Sequence, residues 1–183
     1  MENTTDRFYI QRVKAGDIQA FAPIVHKYQR MVFTIIVKIV DNKEEAEDIM
    51  QEVFVKVFNS LTQFKEEAEF STWLYRIAYN TTLSELRKRK INFTSINDSL
   101  LTVDEYIDEN LNESNKEEKL QYLEVALKKL SPEEIFLVTL FYMDNRTIEE
   151  VSEISRLSTS NVKVKLHRIR KKLAIEINQM MQV

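Results

Sequence analysis

Glycine and proline are scarce in this sequence, and that scarcity restricts the fold more than any other feature. One glycine, Gly16, and two prolines occur in 183 residues. Most β-hairpins and glycine-rich phosphate loops need glycine where the backbone φ angle is positive. With 44% hydrophobic residues, the chain can still bury packed cores. The sequence therefore predicts an all-α protein whose helices are joined by short turns.

Several classes of function lack the residues that they need. The chain has no cysteine, which excludes disulfides, thiolate zinc sites and cysteine nucleophiles and fits a reducing cytosol. Neither His26 nor His167 follows a carboxylate by three residues, so the pattern of a helical di-iron bundle is missing. The polar N-terminus predicts that no signal peptide is present, and the apolar run 31–40 is too short to span a bilayer. We expect a soluble intracellular protein that is not an enzyme and has no metal, cofactor or small-molecule substrate.

The net charge of −3 is divided unevenly along the chain. Residues 1–90 carry a net charge of +1, residues 91–118 carry −7 and residues 119–183 carry +3. The middle stretch has no sustained helical stripe, which indicates a flexible linker with a short helix around 103–107. The sequence thus predicts two small helical domains, 1–91 and 119–183, joined by an acidic linker at 92–118. Because the basic groups are concentrated in the two domains, the near-neutral total does not exclude nucleic acid as a partner.

Periodic apolar residues predict the helices of the first domain. The predicted helices are 7–22 with a break at 15–17, 24–40, 44–58 and about 71–90. The stretch 24–40 is rich in β-branched residues, so a strand is the local alternative, but its length favours a helix. Asp17, and either Asp41 or Asn42, are suited to cap the helices that follow them.

The third predicted helix carries a compact polar face. Asp48, Gln51 and Glu52 are spaced at i, i+3 and i+4, so they share one outward side. An acidic and amide surface of this kind suits a basic protein partner. The alternative is an ordinary solvated face, because carboxylates are favoured near a helix N-terminus.

The fourth predicted helix places Trp73, Arg76 and Asn80 on one side. Tryptophan can stack on an unpaired base, and arginine and asparagine can hydrogen-bond to phosphate or to base edges. These residues favour a nucleic-acid surface. The alternative is that Trp73 belongs to the core, which is the more common place for a single tryptophan in a helix.

Two further features flank this helix. Phe64 and Phe70 lie in the loop before it and look exposed from the sequence, and residues 87–90 end it with four consecutive basic side chains. Together with Trp73, these aromatic and basic groups indicate a surface for single-stranded nucleic acid. The basic run also has a structural alternative, because it can offset the helix dipole.

Capping motifs mark two helices of the second domain. Ser131 with Glu134, and Thr147 with Glu150, form Ser/Thr-x-x-Glu capping boxes. The segment 135–142 is apolar on nearly every side, as a central buried helix would be.

A helix-turn-helix is predicted after the second capping box. A short turn at 155–157 leads to Ser158 or Thr159 as the cap of the last helix. Six basic residues and no acidic one lie within 163–172. A basic helix after a short helix and a tight turn is typical of a recognition helix in a DNA major groove. The alternative is a basic helix that is simply solvated.

These segments together resemble the extracytoplasmic-function (ECF) group of bacterial sigma factors, the two-domain members of the sigma-70 family. The motifs similar to region 2 of that family are Asp48-x-x-Gln51-Glu52-Val53-Phe54, the run from Phe70 to Asn80, and Arg87-Lys88-Arg89. Those similar to region 4 are Leu127-x-x-Leu130-Ser131-Pro132 and residues 149–173. The resemblance covers nearly the whole chain except the linker.

The resemblance implies a cytoplasmic sigma factor that binds core RNA polymerase and directs promoter-specific initiation. The implied partners are the β′ clamp helices, the β flap, promoter DNA and an anti-sigma factor. Asp48, Gln51 and Glu52 would bind the polymerase. In the family a −10 base is flipped into a pocket at the loop after the third helix. The residues implied in −10 binding and melting are Phe64, Lys65, Trp73, Arg76, Asn80, Arg87 and Lys88. Those implied in −35 binding are Ser158, Thr159, Ser160, Asn161, Lys163, Lys165, Arg168 and Lys172.

Two positions depart from the family pattern, and one alternative function stays open. Arg156 stands where the helix-turn-helix usually has glycine, which predicts a strained or altered turn. Asn161 stands where threonine is common, which predicts a different base preference at −35. The alternative is a helix-turn-helix repressor or activator that acts without a polymerase holoenzyme and uses 1–90 to dimerise. A helical interaction protein without a DNA role is disfavoured by the unbroken basic face predicted for 163–172.

Overall fold

The computed structural model describes residues 2–91 and 116–181. The first range contains α1 (Glu2–Lys14), a 3₁₀ turn (Ile18–Phe21), α2 (Ala22–Val40), α3 (Lys43–Ser60), a second 3₁₀ turn (Leu61–Gln63) and α4 (Phe70–Ile91). The second contains α5 (Lys116–Leu127), α6 (Pro132–Val138), a π-helical turn (Thr139–Met143), α7 (Ile148–Ser155) and α8 (Thr159–Met181). No strand occurs in either range, which confirms the all-α prediction.

The described residues form two compact units. The first contains α1 to α4 together with Ser152–Arg156, and the second contains α5, α6, the start of α7 and α8. The predicted linker helix at 103–107 lies outside the described residues.

The core of the first unit is built from apolar stripes on α2, α3 and α4, which pack against one another. The β-branched stripe of α2 is buried as a helix face, so the strand alternative for 24–40 is wrong. Fully burying one valine or isoleucine side chain contributes about 1.5–3 kcal/mol to the stability of the fold. The buried members include Ile24, Val32, Ile36, Ala46, Ile49, Val53, Leu74 and Ala78.

A buried carboxylate ties α1 to α2. Asp6 is 5% exposed and accepts hydrogen bonds from the Tyr28 hydroxyl at 2.5 Å and from the Lys27 ammonium at 2.7 Å. A buried charge needs such partners, because leaving it unpaired is strongly destabilising. Ile10, one turn further along α1, is 1% exposed and adds an apolar contact to the core. The position of α1 on this unit is therefore set by polar and apolar contacts together.

The predicted first helix at 7–22 is wrong in its limits. The α-helix runs from Glu2 to Lys14, and the chain then turns at Gly16, whose φ is 99°, into the first 3₁₀ turn. A left-handed φ of this kind suits glycine. Asp17 makes no side-chain cap bond, so that part of the prediction is also wrong; its carboxylate instead pairs with Arg12.

Local capping at the junction of α2 and α3 follows the sequence closely. Asp41 adopts a left-handed φ of 51° and ends α2. Asn42 is the N-cap of α3, where its side-chain oxygen accepts from the Glu45 N–H at 2.9 Å. Of the two residues proposed as the cap, Asn42 is the one that fills this role.

The second unit is organised around α8, against which α5 and α6 pack. Its buried residues include Ala126, Leu130, Phe136, Leu137, Leu140, Val162, Leu166 and Ile169. The capping box of Ser131 and Glu134 is present and confirms that prediction. Of the apolar segment after it, Phe136 to Leu140 are buried as expected, whereas Tyr142 is 46% exposed. The α-helix gives way at Thr139 to a π-helical turn, which the sequence did not predict.

Candidate nucleic-acid interface

The polar face of α3 lies on the outside of the first unit, as predicted. Asp48 and Gln51 are exposed, and Glu52 is half-buried. The Glu52 carboxylate pairs with the Lys56 ammonium at 2.6 Å, one turn along the helix. Val55 is 59% exposed and lies one turn beyond Gln51. The structure therefore brings the three predicted residues together and adds an exposed apolar side chain beside them.

The aromatic residues before α4 are buried, so their predicted exposure is wrong. Phe64 is 6% exposed and Phe70 is 3% exposed. Their ring centroids lie 5.5 Å apart and 5.1 and 5.7 Å, respectively, from that of Trp73. Such aromatic contacts add about 0.5–1.5 kcal/mol each beyond burial. In this conformation the Phe64 ring supports Trp73 from beneath and cannot itself stack on a base.

The remaining residues predicted to bind at −10 reach the surface to different degrees. Trp73 and Arg76 are half-buried, and Asn80 is exposed on the same side of α4. Further along the helix, Arg87 and Lys88 are exposed. The hydrogen bond that Lys88 donates to Glu85 at 2.5 Å raises the pKa of Lys88. Lys88 therefore stays charged at neutral pH.

Residues 64–69, which we call the Lys65 loop, connect the second 3₁₀ turn to α4. Lys65 is exposed in this loop. A groove of about 560 Å³ opens between this loop and α1. It is lined by Asp6, Arg7, Ile10, Phe64, Glu66, Glu67, Ala68, Glu69 and Phe70.

Three residues of α1 contact the Lys65 loop, and the sequence prediction missed all of them. The Lys14 ammonium donates to the Phe64 carbonyl oxygen at 2.7 Å and lies 5.8 Å from the centroid of the Phe64 ring. Gln11 Nε2 donates to one carboxylate oxygen of Glu66 at 2.5 Å, and Arg7 Nε lies 3.0 Å from the other. Their spacing of i, i+4 and i+7 was visible in the sequence, but the partners are about 50 residues away.

The helix-turn-helix begins with the predicted capping box. The Thr147 N–H donates to the Glu150 carboxylate at 2.8 Å, and the Glu150 N–H donates to the Thr147 hydroxyl at 3.2 Å. Burial opposes ionisation of Glu150, but hydrogen bonds from Thr147 and Arg146 outweigh it and lower the Glu150 pKa. For Asp144 burial prevails over the attraction of Arg146 and raises the pKa of that carboxyl.

The turn before α8 shows the irregularity predicted at Arg156. Its φ is 60°, in the left-handed region that favours glycine. Ser158 then caps α8, since its hydroxyl accepts from the Asn161 N–H at 3.2 Å. Of the two residues proposed as this cap, the structure selects Ser158.

The basic face of α8 is divided in two, which corrects the prediction of an unbroken face. Lys165 and Lys172 are half-buried against α6, where they pair with Glu133 at 3.2 Å and Glu134 at 3.0 Å. Burial opposes ionisation of Glu134, but hydrogen bonds from Ser131 and Lys172 outweigh it and lower its pKa. The predicted −35 residues on the exposed part of the helix and its cap are Ser158, Thr159, Ser160, Asn161, Lys163 and Arg168.

A metal site and a membrane-spanning helix are both absent from the part of the chain described. Residues 2–91 and 116–181 contain no cluster of three or more histidine, cysteine or acidic side chains arranged to hold a metal ion. Within the same ranges, no helix has the length and apolar character required to cross a membrane.

Comparison with known proteins identifies the two halves of the chain. Two family models match the sequence: Sigma-70 region 2 at residues 24–91 and Sigma-70, region 4 at residues 120–173. A curated relative, the ECF RNA polymerase sigma factor SigW of Bacillus subtilis (strain 168), is 28% identical over 187 residues, which covers 93% of this chain and 96% of SigW.

Solved structures show the same fold. The chain is similar to CnrH in the structure of its complex with the cytosolic domain of CnrY, with a TM-score of 0.68, 18% identity and coverage of 96% and 98% of the two chains. It is also similar to the sigma factor RpoE in complex with the anti-sigma factor NepR from Bartonella quintana, with a TM-score of 0.62, 16% identity and coverage of 88% and 98%. Both family regions and the full-length relative agree, and the chain belongs to the ECF group of the sigma-70 family.

Proposed function

We propose that this protein binds core RNA polymerase and directs it to promoters by recognising −35 and −10 elements and helping to melt the −10 element. The observation that carries the proposal is the order of its two matched regions, with region 2 at 24–91 and region 4 at 120–173. SigW matches across both regions and nearly its full length. A repressor that used 1–90 only to dimerise would have no need of a match to Sigma-70 region 2 there.

We assign −10 binding to the side of the first unit that carries Trp73, Asn80 and the Lys65 loop. Flipping a base out of a duplex costs a few kcal/mol, and stacking on an aromatic ring returns about 1–3 kcal/mol per base. The half-exposed Trp73 can supply that stacking, while Phe64 beneath it holds the ring in place. Arg87 and Lys88 extend this surface with positive charge, whereas the Arg76 guanidinium donates to the Glu153 carbonyl oxygen at 2.6 Å.

We assign −35 binding to the exposed part of α8. Asn161 lies in its first turn, where recognition helices meet base edges, and it can both donate and accept hydrogen bonds there. Lys163 and Arg168 are exposed and suited to phosphate. Lys165 and Lys172 reach DNA only if they leave their carboxylate partners on α6.

We assign core-polymerase binding to Asp48, Gln51 and Glu52 on α3, which would face the β′ clamp helices. The second domain would contact the β flap. Exposed Val55 beside Gln51 supports this assignment, because interfaces place an apolar centre within a polar rim. The domains would be 1–91 and 119–183, with 92–118 as the acidic linker between them.

The proposal also includes a regulatory partner, a class of activity and a place of action. An anti-sigma factor is a further partner, in keeping with a structural relative that was solved with one. The protein acts as a transcription initiation factor and not as an enzyme. Its place of action is the cytoplasm, where bacterial polymerase and DNA are found.

Transcription in vitro tests the whole proposal. Purified core polymerase is incubated with and without the protein on pooled genomic promoter fragments. We expect new transcripts that depend on the protein and share one −35/−10 spacing. Tight binding to duplex DNA without new transcripts would overturn the proposal and favour the repressor.

A variant pair tests the polymerase-binding face. We expect Asp48→Ala to weaken core-polymerase binding and to leave −35 duplex binding by the free protein unchanged. Glu47→Ala is the matched control, because it removes the same charge from the neighbouring exposed position of α3. If both variants weakened binding equally, the net charge of α3 and not a defined face would be responsible.

A further inference from the structure

The Lys65 loop is held from outside by α1. We propose that Arg7, Gln11 and Lys14 are positioning residues, which hold this loop in the shape that meets the −10 strand without touching DNA themselves. This inference rests on the proposed function, because it assigns to α1 a part in −10 recognition.

The contacts fix the loop on both sides of its exposed lysine. Lys14 holds the carbonyl of Phe64, immediately before Lys65. Gln11 and Arg7 each hold one oxygen of the Glu66 carboxylate, immediately after it. The backbone that carries Lys65 is therefore fixed at both neighbours by a single helix face.

The loop needs this support, because its backbone is not in a preferred conformation. Glu66 has a φ of 60°, in the left-handed region. That conformation costs an L-residue other than glycine roughly 1–2 kcal/mol. A non-glycine residue stays there when surrounding contacts hold it. Here the contacts that hold it come from α1.

The helix that does the holding is itself well fixed. Asp6 and Ile10, on the adjacent side of α1, are buried in the first unit. A recognition group works best when the residues behind it hold it within a fraction of an ångström. A surface ion pair alone would contribute little, since the Arg7 side chain is 73% exposed. These contacts therefore contribute more to the conformation of the Lys65 loop than to the stability of the protein.

A double-mutant cycle of Gln11→Ala and Glu66→Asn tests the proposal. Gln11 is neutral, so its removal leaves the field at the DNA surface unchanged. Asparagine tolerates the left-handed conformation but is too short to replace the glutamate contact. Glu67→Gln is the matched control, because Glu67 is exposed in the same loop and forms no ion pair with α1 in the described structure.

The readout is −10 discrimination, the ratio of holoenzyme transcription from a matched promoter to that from one substituted in the −10 element. We expect each single variant to lower this ratio by about threefold to tenfold. The double variant should lower it no further than Glu66→Asn alone, since that substitution already removes the Gln11 contact together with the Arg7 contact. Thermal stability, and the salt dependence of DNA binding, should stay the same. Glu67→Gln should leave the ratio unchanged.

The outcomes separate this proposal from the one on which it rests. If the unaltered protein gives no promoter-dependent transcripts, the sigma-factor function itself fails. If it discriminates but the two variants do not change the ratio, or change it additively, the positioning role of α1 is overturned while the function stands. A shallower salt dependence in Gln11→Ala would place Gln11 on DNA and would also overturn it.

Discussion

The two units use the residues that the sequence assigned to DNA in opposite ways. In the first unit the aromatic residues Phe64 and Phe70 are buried and only Trp73 is left half-exposed above them. In the second unit the predicted residues are mostly exposed along α8, and two of them are turned to neighbouring carboxylates.

This contrast shows what each residue type reports. An aromatic residue near a predicted nucleic-acid surface can belong to the layer beneath it, because burial and stacking both favour a large ring. A basic side chain keeps its charge near water, so a row of basic residues predicts more directly which side of a helix is exposed. The sequence of that helix does not show whether a carboxylate of another element already pairs with one of these basic side chains.

The largest effect is expected from Phe64→Ala, which tests whether this ring is part of the core or a DNA contact. Removing a buried phenylalanine side chain costs about 3–5 kcal/mol. We therefore expect the first unit to lose most of that amount in its free energy of unfolding. The single tryptophan, Trp73, lies against Phe64, so its fluorescence during chemical denaturation reports this unit.

Phe8→Ala is the matched control for that experiment. It makes the same truncation at a ring that is 56% exposed on α1. We expect a much smaller loss of stability there. Suppose instead that Phe64→Ala unfolded at the same denaturant concentration as Phe8→Ala while −10 binding fell. Phe64 would then be a surface contact with DNA, and the contrast drawn between the two units would be wrong.

Local features of this fold could be predicted from the sequence, because each depends on residues three or four positions apart. The Asn42 cap, the capping boxes at Ser131 and Thr147, and the Ser158 cap are of this kind. The strained turn at Arg156, whose φ is 60°, was predicted from the family pattern, which usually has glycine there.

Non-local features of the candidate site could not be predicted in the same way. The burial of Phe64 depends on how α1, α2 and α4 meet, and the pairing of Lys165 with Glu133 joins residues 32 positions apart. The contacts of Gln11 and Lys14 with the Lys65 loop span 55 and 50 positions. No periodicity within one helix contains that information, since the partner belongs to another element.

The division of the α8 surface can be tested with two lysines. Lys163→Ala should weaken binding to −35 duplexes of any sequence by about 1.5 kcal/mol, because an exposed ammonium that meets phosphate is lost. It should also reduce the salt dependence of binding by about one unit of slope. Fluorescence anisotropy at several salt concentrations measures both quantities.

Lys165→Ala is the matched comparison two residues away. Its ammonium pairs with Glu133, so we expect a smaller loss of affinity and little change in salt dependence. Equal effects of the two substitutions would mean that Lys165 leaves Glu133 when DNA binds. The basic face would then be continuous in the complex, and the division would hold for the free protein alone.

The smallest effect is expected at Arg156, whose left-handed φ can be compared with that of Glu66 in the Lys65 loop. Glu66 is held by side chains of α1, whereas Arg156 occupies a tight turn where glycine is the better residue. We expect Arg156→Gly to stabilise the helix-turn-helix by about 0.5–1 kcal/mol, because glycine adopts this conformation without the steric penalty of a Cβ atom. Slower hydrogen exchange of the α7 and α8 amides would measure that gain.

Arg156→Ala is the control, since it removes the same charge but keeps the Cβ atom, and it should give no gain. If the alanine and glycine variants exchanged at the same rate, the arginine side chain and not the backbone would be the source of the effect.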